Sequence, residues 1–130
     1  MRILFVEDNE VNRLVVKEML RAGGHDMAEA EDGRAGLDMI EANDYDLILM
    51  DLRMPGMDGL TAIRHIRARD DAKAALPVVV ITADDGLTIE ADCLEAGAHH
   101  VLRKPVAMAT LFETIAAVMP KAGGAPAMLA

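Results

Sequence analysis

Short apolar runs alternate with stretches whose apolar residues recur every three or four positions, and the alternation repeats five times. Residues 2–6 read as a strand. A helix follows from about Glu10 to Ala22, where Val11, Leu14, Val15, Glu18 and Met19 keep the helical period and four of the five are apolar. Gly23-Gly24 supplies its stop. His25 to Ala30 is a weaker, more polar strand, which suggests a sheet edge. Gly33 opens a second helix, with Leu37 and Ile40 as its stripe, running to about Ala42. Tyr45 to Met50 is apolar throughout except for Asp46, which suits a central parallel strand buried on both faces. Asp58 is placed to cap a third helix lined by Leu60, Ile63 and Ile66. Pro77 starts the strand Val78 to Thr82. Asp84-Asp85-Gly86 opens a fourth, weakly amphipathic helix through Ile89, Cys93 and Leu94, and Gly97 ends it. His99 to Leu102 is the fifth strand. Pro105 breaks it, and Met108, Leu111, Phe112, Ile115 and Met119 give the last helix its face. This places one domain over residues 1–119. The Ala/Gly/Pro-rich residues 120–130 read as a flexible tail or linker.

Strict strand–helix alternation predicts an α/β fold with a parallel sheet. Right-handed crossovers put helices on both faces of a doubly wound sandwich. In such a sheet a ligand sits at the carboxyl ends of the strands, at the topological switch point. Five polar residues lie there: Glu7 and Asp8 after the first run, Asp51 after the third, Thr82 at the end of the fourth and Lys104 just past the fifth.

Composition narrows the chemistry. The 130 residues make one domain's worth of chain, and the core is almost wholly aliphatic: the aromatics are Phe5, Tyr45 and Phe112. Ten Met residues read as core packing. Thirteen basic against twenty-two acidic residues give a net charge of −9, which argues against nucleic acid or an anionic membrane as a direct partner. No apolar stretch is long enough to span a bilayer, and the N-terminus lacks the pattern of a signal peptide. The lone Cys93 has no partner for an internal disulfide and reads as buried. Together these predict a cytoplasmic protein. Adjacent His99 and His100 point to opposite faces of a strand, one packed and one solvated. The charge-rich stretch Arg64 to Lys73 reads as a solvated helix end.

Three carboxylates at close range repel one another, and a divalent cation reverses that cost. Mg²⁺ takes oxygen ligands and one or two carboxylates while keeping water and phosphate oxygens, which Glu7, Asp8 and Asp51 suit. Asp51 is then a candidate nucleophile toward phosphorus. Lys104 and the Thr82 hydroxyl are placed to neutralise and hydrogen-bond the phosphoryl oxygens.

The stretches Val6-Glu7-Asp8-Asn9, Leu49 through Gly59, Ile81-Thr82-Ala83, Ala96-Gly97-Ala98 and Lys104-Pro105 resemble the receiver domain of two-component response regulators over residues 1–119. The resemblance implies a flavodoxin-like (βα)5 sandwich with strand order 2-1-3-4-5. It implies that Asp51 is the phosphoacceptor, with Thr82 and Lys104 contacting the phosphoryl group. Asp8, Asp51 and the backbone carbonyl of Arg53 would hold Mg²⁺ directly and Glu7 through water. Ala83 would leave room for the donor. The implied role is phosphoacceptor in a two-component or phosphorelay system, a signalling domain that assists its own phosphorylation and dephosphorylation rather than an enzyme. The implied partners are a histidine kinase, a histidine phosphotransfer protein, or both.

The run Glu7 to Arg13 is also similar to receivers of hybrid histidine kinases, so a stand-alone regulator and a segment of a larger chain both stay open. One departure stands out. Receivers often carry Tyr or Phe three residues before the Lys, and here that position is Val101. An aliphatic side chain lacks the rotamer change of an aromatic one, so output is expected to travel by another route. Three rival readings are weaker, and the first, flavin binding, lacks a hydroxyl-rich phosphate loop and flanking aromatics. A dehalogenase-like phosphatase needs an Asp where Arg53 stands, and a pseudo-receiver would have lost the acids that this chain keeps.

Overall fold

The computed structural model describes residues 1–119; the predicted tail, 120–130, lies outside the described residues. Five parallel strands form one sheet in the order β2-β1-β3-β4-β5, with β1 at Arg2–Val6, β2 at Asp26–Ala30, β3 at Leu47–Met50, β4 at Val78–Thr82 and β5 at His100–Arg103. The helices are α1 (Glu10–Ala22), α2 (Gly33–Ala42), α3 (Gly59–Arg67), α4 (Ile89–Ala96) and α5 (Met108–Val118), with a short 3₁₀ turn at Ala72–Ala75.

The three inner strands are the apolar runs. Every residue of β3 and β4 is buried, because helices cover both faces of the sheet. Alternate side chains feed two cores. Leu4, Val6, Ile48, Met50, Val78 and Val80 face α2, α3 and α4. Ile3, Phe5, Leu47, Leu49, Val79 and Ile81 face α1 and α5. The polar strand β2 occupies an edge, as its composition predicts.

Asn9, Asp32 and Asp58 cap α1, α2 and α3, each side-chain oxygen accepting a backbone N–H three residues on. Gly97 ends α4 at φ +120°, a conformation costly for a residue with a Cβ.

The structure corrects several local readings. Within α1 the buried side chains are Val16 and Leu20, whereas Val11, Leu14 and Val15 are exposed. Helix α4 starts at Ile89, because Asp84-Asp85-Gly86 forms a loop instead of a helix opening. Strand β3 starts at Leu47: buried Tyr45 lies under the Arg2 guanidinium, and Asp46 accepts the Arg2 backbone N–H. His99 and His100 are both exposed, with His99 Nδ1 accepting the Val78 N–H from outside the strand.

The Arg64–Lys73 stretch is only partly solvated. Arg67 donates to the carbonyls of Gly97 and Ala74, and Lys73 donates to those of Ile40 and Asn43 at the end of α2. Lysine at that end also complements the helix dipole. Cys93 is buried, as expected.

Candidate functional site

Parallel pairing brings the predicted residues to one sheet edge. Val6 pairs with Met50, so Glu7 and Asp51 follow side by side, and the Asp51 N–H continues the ladder to the Val6 carbonyl at 2.9 Å. Thr82 pairs with Arg103, and the Lys104 N–H donates to the Thr82 carbonyl at 2.8 Å. The switch point lies between β1 and β3, whose crossovers leave to opposite sides. The acids stand there.

Glu7 is 1% exposed and Asp51 4%, while Asp8 lies at the surface. Ligand oxygens from Glu7, Asp8 and Asp51 all lie within 4.8 Å of one another. Lys104 Nζ bridges the two buried acids, donating to Glu7 Oε1 at 2.7 Å and to Asp51 Oδ1 at 3.5 Å. The Asn9 N–H donates to Glu7 Oε2 at 3.1 Å, and Arg13 Nη1 fixes the Glu7 carbonyl at 2.7 Å.

This unequal sharing splits the two acids. Burial works against charge on Glu7, but the Lys104 and Asn9 hydrogen bonds outweigh it and hold its carboxyl below the usual range. Burial, reinforced by the Glu7 charge, pushes Asp51 up to about 6, with Lys104 only partly opposing. Burial also disfavours the Lys104 ammonium, yet its contacts with Glu7 and Asp51 keep it firmly protonated. One ammonium therefore serves three clustered carboxylates. An all-oxygen set with surplus negative charge fits a hard divalent cation.

Thr82 is fully buried at the end of β4, and its Oγ1 accepts the Asp84 N–H at 3.0 Å. It makes no side-chain hydrogen bond to Glu7, Asp51 or Lys104. The Arg53 side chain points away from the acids to Asp84 Oδ2, at 2.7 Å. Ala83 is exposed beside the site. Val101 is half-buried and packs on the core shared with α3 and α4.

Two features escaped the sequence reading. Gly59, the first residue of α3, packs so closely that a Cβ would overlap the Asp51 carbonyl oxygen and lie 2.9 Å from Leu52 Cα. A helix beginning on glycine, where no unusual backbone angle is needed, was the available signal. The second is the Arg53–Asp84 pair, which joins loops 31 residues apart and leaves no mark in the local pattern.

Comparison with known proteins gives a consistent picture. Residues 3–116 match the family model described as the response regulator receiver domain. The sensory/regulatory protein RpfC of Xanthomonas campestris is 39% identical over 119 residues, covering 89% of this chain but 16% of that protein. The chain thus spans about a sixth of that relative. Chemotaxis protein CheY-3 of Vibrio cholerae is 37% identical over 116 residues, covering 88% of both chains. Among solved structures, the receiver domain of sensor histidine kinase PA1611 from Pseudomonas aeruginosa, with a magnesium ion coordinated in its active-site cleft, superposes with TM-score 0.82. It is 37% identical and covers 90% of this chain and 95% of that one.

Proposed function

The chain belongs to the response regulator receiver domain family and has a phosphoacceptor role in two-component signalling; on that premise we propose that Asp51 is the acceptor and that residues 1–119 form the receiver unit. The observation that carries this reading is the buried Glu7–Lys104–Asp51 cluster, in which Asp51 shares its cation unequally and keeps a high proton affinity.

Asp8, Asp51 and the Arg53 carbonyl would hold Mg²⁺, with Glu7 acting through water. When bound, the ion supplies charge neutralisation for the acids and the transferred phosphoryl oxygens. An Asp51 carboxylate oxygen attacks the phosphorus of a partner phosphohistidine. The new O–P bond forms as the N–P bond breaks, and the imidazole leaves with the bonding electron pair. Lys104, already within reach of Asp51 Oδ1, is positioned to neutralise a phosphoryl oxygen, and the Thr82 hydroxyl donates to another. The same groups assist the later loss of the phosphoryl group to water.

The donor is a protein: a histidine kinase or a histidine phosphotransfer protein. Val11, Leu14 and Val15 of α1 are 66%, 56% and 47% exposed and follow directly on the acid pair, forming an apolar surface beside the acceptor. Such a surface suits a macromolecular partner. Among the described residues no helix is long and apolar enough to cross a membrane; we place the domain in the cytoplasm, where its donors present phosphohistidine.

The test is phosphotransfer from a panel of labelled histidine kinases and phosphotransfer proteins. Wild type should take up label in a magnesium-dependent way, and Asp51→Asn should take up none. Undiminished labelling of Asp51→Asn would remove Asp51 from the acceptor role.

A further inference from the structure

Glu7 and Asp8 are neighbours across one peptide group, so the orientation of that group sets how their carboxylates stand relative to each other. The Glu7 N–H continues the sheet, donating to the Ala30 carbonyl at 2.9 Å. Strand β2 ends at Ala30, and the Glu7 carbonyl accepts from a side chain instead: Arg13 Nη1 of α1, at 2.7 Å. The guanidinium is itself braced, with Nε donating to Glu29 Oε1 at 3.0 Å. Lys17 Nζ donates to the other Glu29 oxygen at 3.1 Å. Glu29 stands on β2 in register with Phe5, two residues before Glu7. The Arg13 side chain is 13% exposed and that of Glu29 35%, so the brace is partly shielded from water on the Arg13 side.

We propose that Arg13 is a positioning residue for the cation site: braced by Glu29, it fixes the Glu7–Asp8 peptide and so sets the spacing of the two acids. This rests on the Mg²⁺ reading of those acids given above. Charge alone argues against a guanidinium here, because a fixed cation beside a cation site repels the ion. Glu29 offsets that charge. The Lys17 and Arg13 hydrogen bonds hold its carboxyl below the usual range, so the offset persists at neutral pH. What the guanidinium adds is rigidity. Burial and the Lys104 and Asn9 hydrogen bonds hold the Glu7 side chain, whereas Asp8 lies at the surface and takes its place from the peptide before it. Mg²⁺ demands near-ideal octahedral geometry, so a ligand on a loosened peptide holds it poorly. Groups that orient metal ligands without touching the metal are typically worth about ten- to one-hundred-fold in affinity. Arg13 does this through a backbone carbonyl, with its own place fixed from the neighbouring strand.

Calorimetric titration with Mg²⁺, together with the carbonyl carbon-13 resonance of Glu7 in metal-free protein, tests this on the full chain. Arg13→Met keeps the aliphatic stem and removes the donor. Lys17→Met removes the same charge from the same Glu29 carboxylate and leaves the carbonyl bond in place. By charge alone, both variants should bind Mg²⁺ slightly more tightly than wild type. By positioning, Arg13→Met should bind it about ten-fold more weakly, while Lys17→Met should stay within about two-fold of wild type. The Glu7 carbonyl resonance should move upfield in Arg13→Met and hold still in Lys17→Met. Tighter or unchanged Mg²⁺ binding by Arg13→Met, or an equal loss in Lys17→Met, overturns the proposal, and so does an unmoved Glu7 resonance. If Arg13→Met does not fold, Arg13→Lys takes its place, and an unchanged affinity or an unmoved resonance there overturns the proposal equally. Wild type that binds no Mg²⁺ counts instead against the cation site itself, and the metal-free resonance still decides whether Arg13 grips the peptide.

Discussion

Asp51 is held in a state that folding alone would not select. Burial and the neighbouring Glu7 charge raise its proton affinity, and Lys104 sits closer to Glu7 than to Asp51. The sign of the consequence follows from linkage. Its folded value, about 6, lies above the ordinary aspartate value of 3.8, so the folded state binds the extra proton more tightly between those two values. Asp51 costs nothing below about pH 4, and its penalty is complete once pH has risen past about 6. Asp51→Asn removes that penalty. In metal-free buffer the variant should be more stable than wild type at pH 7 by about 1–2 kcal/mol, with the gain shrinking as pH falls toward 4. Urea denaturation at a series of pH values measures it, and equal stability at pH 7 would count against the strained-acceptor account. Asp51 was legible as a candidate because it ends an apolar run. Its unequal share of Lys104 was not, since that depends on distances set by a contact 53 residues away.

At the scale of elements, strands and caps were legible and helix faces less so. All five predicted strands formed, four of them from apolar runs, and the Asp58 cap follows from local chemistry. The α1 stripe misled because that helix has more apolar residues than its core face uses: Val16 and Leu20 go inward with Met19 packed beside them, and Val11, Leu14 and Val15 face out. The α4 boundary misled because Asp84 carries the composition of a helix cap, yet its carboxylate serves the Gly86 turn and Arg53. Gly59 shows how an element can set the site without contributing a functional group. The start of α3 rests on the Asp51 and Leu52 backbone, and backbone atoms cannot turn aside as a side chain can. Gly59→Ala should therefore destabilise the fold by about 1–3 kcal/mol and slow Asp51 labelling by displacing the acceptor. Denaturation and phosphotransfer rates, measured on the same sample, check both effects. A variant that keeps wild-type stability would show that the α3 approach is adjustable.

Across the whole molecule, the doubly wound class was legible from alternation alone, whereas the order 2-1-3-4-5 came from resemblance, because local periodicity says nothing about which strands are neighbours. That order is what gathers the acids. Glu7 and Asp8 follow β1, Asp51 follows β3, and these strands are adjacent only in the folded sheet. An unfolded chain of net charge −9 scatters the same carboxylates. A divalent cation that needs all of them therefore binds the folded state and not the unfolded one, and mass action converts its affinity into stability. With free Mg²⁺ at about one hundred times its dissociation constant, the gain is about 2.7 kcal/mol, on the order of 10 °C in melting temperature for a domain of this size. Thermal melts across a magnesium titration should rise along a saturating curve, and a chelator should return the melt to its starting point. Asp8→Asn should flatten the curve, because Asp8 supplies an exposed carboxylate to the cluster with little part in the core. A wild-type melt indifferent to magnesium would show that Lys104 alone satisfies the buried acids, and a rise that survives in Asp8→Asn would place the ion elsewhere on the acidic surface.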